Sequence, residues 1–138
     1  MTALLPENVD AVLPLSPAQS GILFHCIGAD PAQGSYVGVV SADLEGPLDE
    51  APFKAAFADT VMATDALRAC FVWEGVKRPL QVVRKRVELS WDVVDWTALG
   101  AEAMEQAAAG VVDRYRRAGF DLSQAPLMHM TLARVGPD

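Results

Sequence analysis

Histidine and cysteine are scarce in this chain, two of each in 138 residues, and that scarcity removes much of the chemistry open to a small protein. A metal centre needs three or four ligands at short spacing, and no CxxC, HxxxH or HxxE pattern occurs, so no metal is expected. Cys26 and Cys70 stand alone among apolar neighbours, which makes both of them buried small hydrophobes rather than a disulfide. A serine or cysteine nucleophile needs an adjacent base. His25 lies late in an apolar helical stretch and His129 sits between Met128 and Met130, so each reads as a satisfied interior or interface side chain. No glycine-rich loop leads from a strand into a helix with a lysine or serine behind it, which excludes a phosphate cradle.

Basic charge is also in short supply. Eleven Lys and Arg face 18 Asp and Glu, a net charge of -7, which repels the phosphate backbone and anionic lipid surfaces. Neither a nucleic acid nor a membrane is an expected partner. No apolar run approaches the roughly 20 residues of a spanning helix. Met1 to Asp10 lacks the basic start and apolar centre of a signal peptide, so a cytoplasmic location is expected. The one basic run, Arg84 to Arg86, reads as a solvated strand edge that discourages sheet-to-sheet pairing.

The 51% hydrophobic content supplies one core. Residues 1–12 have mixed polarity and read as an extended leader; residues 13–138 carry the elements. In LPLSPAQSGILFH, Ser16 is the N-cap, Pro17 the first helical residue and Gln19 the third, a capping box. Ile22, Leu23, Phe24, Cys26 and Ile27 then surround the helix, which is expected to be buried along most of its circumference. GADPAQG marks a loop, and the valine-rich run from Tyr36 to Leu44 reads as a strand. Asp49 caps a second helix whose stripe is Phe53, Phe57, Val61 and Thr64. ACFVWEGVKRPLQVV reads as a hairpin around Glu74-Gly75, with Pro79 at an edge or at the second strand's beginning. WDVVDWTAL has no period and reads as an ordered connection with Thr97 as a cap. A third helix runs from about Ala101 to Ala118 with Met104, Ala108, Val111 and Tyr115 on one face, and Gly119 closes it. PLMHMTLARV alternates Met128, Met130 and Leu132 against His129, Thr131 and Ala133, a strand with two faces. The sum is an α/β unit, an α+β two-layer sandwich.

Arg68 is the charge that needs explaining. It lies between Leu67 and Phe71, where a helix passes into an apolar strand, and a guanidinium buried there requires a carboxylate or carbonyl partner. The alternative is that it only caps the carbonyls at the helix end.

These residues resemble the condensation domains of nonribosomal peptide synthetases. Ser16-Pro17-Ala18-Gln19 followed by Gly21-Ile22-Leu23-Phe24-His25 is similar to the family's first motif in the form ending Leu-Phe-His. Ala63 to Phe71 is similar to the second, RHExLRTxF, and aligns on Leu67, Arg68 and Phe71; Ala63, Thr64 and Asp65 stand where that motif has Arg, His and Glu. LEGPLDEAPFKAAF and GFDLSQAPLMHMTLARVG fit as well. The likeness runs from about Leu13 to Val135.

The resemblance implies part of a fold like chloramphenicol acetyltransferase, with two similar halves of which this chain supplies the first portion. It implies amide formation between acyl or peptidyl and aminoacyl thioesters, both tethered to carrier proteins on phosphopantetheine arms, with no cofactor bound directly. It further implies that Arg68 pairs with the aspartate of a third motif, HHxxxDG, which does not occur in the 138 residues. No catalytic residue is therefore assigned: Ser16, Gln19, Gly21 and His25 belong to the first-motif helix, Arg68 is a structural anchor, and the chain alone is expected to be inactive and prone to self-association. The competing expectation is a naturally truncated, noncatalytic module that serves as a scaffold or docking platform for an adjacent adenylation or carrier domain.

Overall fold

The structure is a computed structural model that describes residues 6–28 and 36–136. In chain order it holds β1 (Val9–Pro14), α1 (Pro17–Gly28), α2 (Glu50–Ala63), β2 (Ala69–Val72), β3 (Leu80–Arg84), β4 (Trp91–Asp95), α3 (Ala101–Ala118) and β5 (Met130–Arg134), with 3-10 turns at Pro6–Asn8 and Asp65–Arg68. The loop expected for GADPAQG falls almost wholly on residues 29–35, outside the described residues, as do residues 1–5 of the leader.

Valine on both sides of a glycine turn gives the expected hairpin. Strands β2 and β3 pair antiparallel from Ala69–Val83 to Val72–Leu80, and Gly75 supplies a positive φ of 70° in the connection. The turn is longer than two residues, and Pro79 ends the connection just ahead of β3, where its missing N–H costs no ladder bond. The core gathers on this hairpin: Val82 and Val83 are 1% exposed and Cys70 is fully buried. Leu23 of α1 and Val61 of α2 are buried as well.

Four differences from the sequence reading concern partners that lie far away in the chain. First, the leader does not remain separate. From Val9 it enters the sheet as β1, antiparallel to β3, which is therefore the central strand in the order β1-β3-β2. Arg84 ends that central strand and is only 9% exposed, so the run at 84–86 is not an exposed edge, although Lys85 and Arg86 are exposed.

Second, residues 36–44 form no strand among the described residues, and Val40 is 96% exposed. Valine favours a pleated, half-buried surface rather than an extended backbone as such, and without a paired neighbour the propensity has nothing to act on. Third, WDVVD is a strand, β4, held parallel to β5 in register from Trp91–Met130 to Asp95–Arg134. Helix α3 is the crossover between them, the arrangement a parallel pair requires. Thr97 does not cap this helix; Gly100 is its N-cap, and the Thr97 amide and hydroxyl both donate to Asp95 Oδ1, at 2.9 and 2.6 Å. The final strand begins at Met130, three residues later than expected.

Fourth, α1 is not buried around its circumference. Leu23 alone is buried, while Phe24 is 78% exposed and Ile22 and Ile27 are about half exposed.

Local signals are met closely. Asp49 caps α2 by accepting from the Ala51 amide at 3.3 Å. Phe53 and Phe57 of α2 meet Trp91 of β4 edge to face, at 5.9 and 5.5 Å between centroids, which ties the second helix to the parallel sheet. Thr64 lies just past the helix as its C-cap, outside the stripe. On α3, Met104, Val111 and Tyr115 are half-buried and Ala108 is exposed. Gly119 ends that helix with a φ of 62°, its amide donating back to the Tyr115 carbonyl.

Candidate functional site

The first motif folds as its residue types dictate. The Gln19 amide donates to Ser16 Oγ at 3.2 Å, and the Ser16 amide donates to Gln19 Oε1 at 2.8 Å, so the capping box is closed from both ends. The Gln19 side chain also works across the sheet, where its Nε2 donates to Gln81 Oε1 on β3 at 2.5 Å and fastens the start of α1 to the central strand. Gly21 has open space where a Cβ would sit, so no close approach of another segment explains it. His25 is exposed on α1, with Phe24 at 6.2 Å and Tyr36 at 6.3 Å between ring centroids. It is not the interior histidine expected from its neighbours, because the face of α1 that carries it is uncovered.

Arg68 ends the 3-10 turn that follows α2 and is 6% exposed. Its Nη1 donates to Asp10 Oδ2 at 3.2 Å and to the Arg84 carbonyl, and its Nη2 donates to Asp65. Both carboxylates are supplied by this chain, and the carbonyl belongs to a sheet strand rather than to a helix end, so the expectation of a buried ion partner holds and the helix-capping alternative does not. Nε is buried without a partner among the described residues. Asp65, which stands where the second motif has Glu, thus keeps a carboxylate three residues before the arginine.

Other sequence candidates lie apart from this clamp. His129 is exposed at its edge, but its ring stacks between Tyr115 and Phe120, each centroid 5.1 Å away and within 17° of parallel. Tyr115 Oη donates to Asp92 Oδ2 at 2.8 Å and shares a hydrogen bond with Thr131 Oγ1 at 2.8 Å, and Arg114 Nη2 reaches the same Asp92 oxygen at 2.7 Å. Cys70 is the buried thiol expected, its Sγ 3.7 Å from the Val82 carbonyl, and Cys26 is half-buried. No group of three metal-ligating side chains is brought together among the described residues. Hydrogen bonds from Ser123, first from its hydroxyl, lower the Asp121 carboxyl below its ordinary range, and Thr97 does the same for Asp95.

Asp10, Gln81 and the Tyr115–Asp92–Thr131 network were not anticipated. One signal was available for the first: Asp10 is the lone charge in the otherwise apolar stretch VDAVLP.

A mixed α/β unit with a capped helix seated on its central strand, and beside it a buried arginine clamp, is thus the class of structure in hand. Residues 9–138 match the family model described as Condensation domain, and the chain belongs to that family. It is 36% identical over 122 residues to a linear gramicidin synthase of Brevibacillus parabrevis, and 29% identical over 168 aligned residues to chondramide synthase of Chondromyces crocatus. These stretches cover 88% and 94% of this chain but 2% and 4% of those synthases. Among solved structures, the first condensation domain of the calcium-dependent antibiotic synthetase superposes with a TM-score of 0.73 at 19% identity, covering 94% of this chain and 33% of that one. The starter condensation domain of rhizomide synthetase gives 0.69 at 24% identity, covering 93% and 31%. At these identities the two structures show the fold alone. No helix among the described residues is long and apolar enough to cross a membrane.

Proposed function

We propose that this chain forms part of a condensation domain that joins two carrier-protein-bound thioesters through an amide bond, within a fold like chloramphenicol acetyltransferase. The support is the match over residues 9–138 together with the structural use of the family's motif residues: Gln19 seats α1 on the sheet and Arg68 is buried and clamped. Such a reaction rests on holding two tethered substrates together and on one well-placed base, with no nucleotide or metal. The chain's own part is positional. The first-motif helix with Ser16, Gln19, Gly21 and His25 lies beside the reaction centre, and Arg68 anchors the loop that would carry HHxxxDG.

Carrier proteins, through their phosphopantetheine arms, and neighbouring synthetase domains are the partners this reading implies. The test is a condensation assay of the 138-residue chain with a donor thioester on one carrier and an aminoacyl thioester on another. No amide product is expected, because the base of the third motif is not among these residues. Product above a blank would overturn that assignment.

A further inference from the structure

The ladder between β1 and β3 contains an irregularity at one position. Val9 is opposite Arg84 and Ala11 is opposite Val83, so Asp10 is an extra residue on β1, a bulge. A bulge re-aims the side chain it carries, and here that side chain is the carboxylate that reaches Arg68 Nη1 at 3.2 Å. The same Nη1 donates to the carbonyl of Arg84, the β3 residue flanking the bulge. One guanidinium nitrogen therefore holds both strands at the point where their register shifts. Just outside it, the Asn8 side chain continues the pairing in place of backbone: its Oδ1 accepts from the Arg86 amide at 2.9 Å, and its Nδ2 donates to the Arg86 carbonyl at 3.0 Å.

Beyond the bulge the register is Ala11–Val83, Val12–Val82, Leu13–Gln81 and Pro14–Leu80, and it ends two residues before Ser16, the N-cap of α1. Closing the bulge would slide this stretch by one residue and carry α1 with it, so the start of the helix would no longer meet Gln81. The bond from Gln19 to Gln81 requires the shifted register.

We infer that the Asp10 bulge and the Arg68 guanidinium form one register lock, through which the second-motif arginine sets the position of the first-motif helix. Asp10 is a positioning residue, and Asp65 completes the charge balance on Arg68 from the other side. The lock is a property of the folded chain, whatever reaction the domain performs.

Hydrogen exchange read residue by residue on the 138-residue chain, for Asp10→Asn, Arg68→Lys and the double variant, tests this. Either single change should speed exchange of the ladder amides of β1 and β3 by roughly tenfold or more, while β4, α3 and β5 keep their protection. The double variant should do no more than the worse single one, because both changes break the same device. A second readout is the cross-strand contact in Asp10→Val, which keeps strand propensity and removes the carboxylate. Val12 should lose its nuclear Overhauser contact with Val82 in favour of Ala11, and the Gln19 side-chain amide should lose its shift from Gln81. Unchanged β1 exchange in Asp10→Asn, effects that multiply in the double variant, an equal loss of protection in every element, or an unchanged Val12–Val82 contact in Asp10→Val would each overturn the lock.

Discussion

Gln19 on α1 and Gln81 on β3 are 62 positions apart in the chain and meet side chain to side chain at 2.5 Å. Because Gln19 Oε1 is already held by the Ser16 amide, one side chain both starts the helix and seats it. Gln19→Ala is expected to remove both interactions and leave a half-buried Gln81 without its donor, at a cost of about 1–2 kcal/mol in urea unfolding. Gln19→Glu keeps the capping acceptor and loses only the donor to Gln81, so it should cost less than the alanine variant.

Arg68→Ala is the most destabilising single change expected here. It removes a nearly buried cation with three partners, and the expected loss is about 3 kcal/mol by thermal or urea unfolding. Asp65→Asn should cost less than about 1 kcal/mol, because the Asp65 side chain is 71% exposed and water replaces much of what it loses.

The pH dependence follows from Asp121. Its Oδ1 accepts from the Ser123 hydroxyl at 2.6 Å and from the Ser123 amide at 2.9 Å, and its Oδ2 accepts from Gln124 at 2.7 Å. These bonds favour the carboxylate and hold its pKa below the ordinary 3.8. The folded state thus releases this proton more readily than the unfolded chain. The associated stability is present above pH 3.8 and is lost as the pH falls through the lowered folded value. Ser123→Ala should move the Asp121 titration, followed by carboxyl NMR, up toward 3.8 and flatten this part of the acid-unfolding profile.

Self-association of the chain is expected to run through α1 rather than through the last strand. Phe24 is 78% exposed, Ile22 and Ile27 are nearly half exposed, and Val40 is 96% exposed, whereas Met130 to Ala133 of β5 are half-buried. Sedimentation velocity should show the average mass rising with concentration, and Phe24→Ser should reduce that rise. A monomer at every concentration would contradict the expectation.

What the sequence made legible is what short-range chemistry decides. The Ser16–Gln19 capping box, the Asp49 cap, the Gly119 stop and the two-faced hairpin are each set within a few residues, and each is met in the structure. What it concealed depends on partners far along the chain. Trp91–Asp95 has no internal period because its neighbour is a parallel strand reached across α3, and Tyr36–Leu44 has strand-forming residues but no partner among those described. Arg84 looked like surface charge until β1 covered it from the other side. Arg68 was legible as an arginine in need of an acid, while Asp10, 58 positions earlier, was hidden in what read as a leader.

The most direct measurement is a graft. Residues 9–136 replace the equivalent segment of a condensation domain of the Brevibacillus parabrevis linear gramicidin synthase, and the folded hybrid is assayed with its loaded carrier proteins. Amide product from the hybrid, lost on Arg68→Ala in the grafted segment, is the result expected. A hybrid that folds and binds both carriers yet forms no amide would contradict the account.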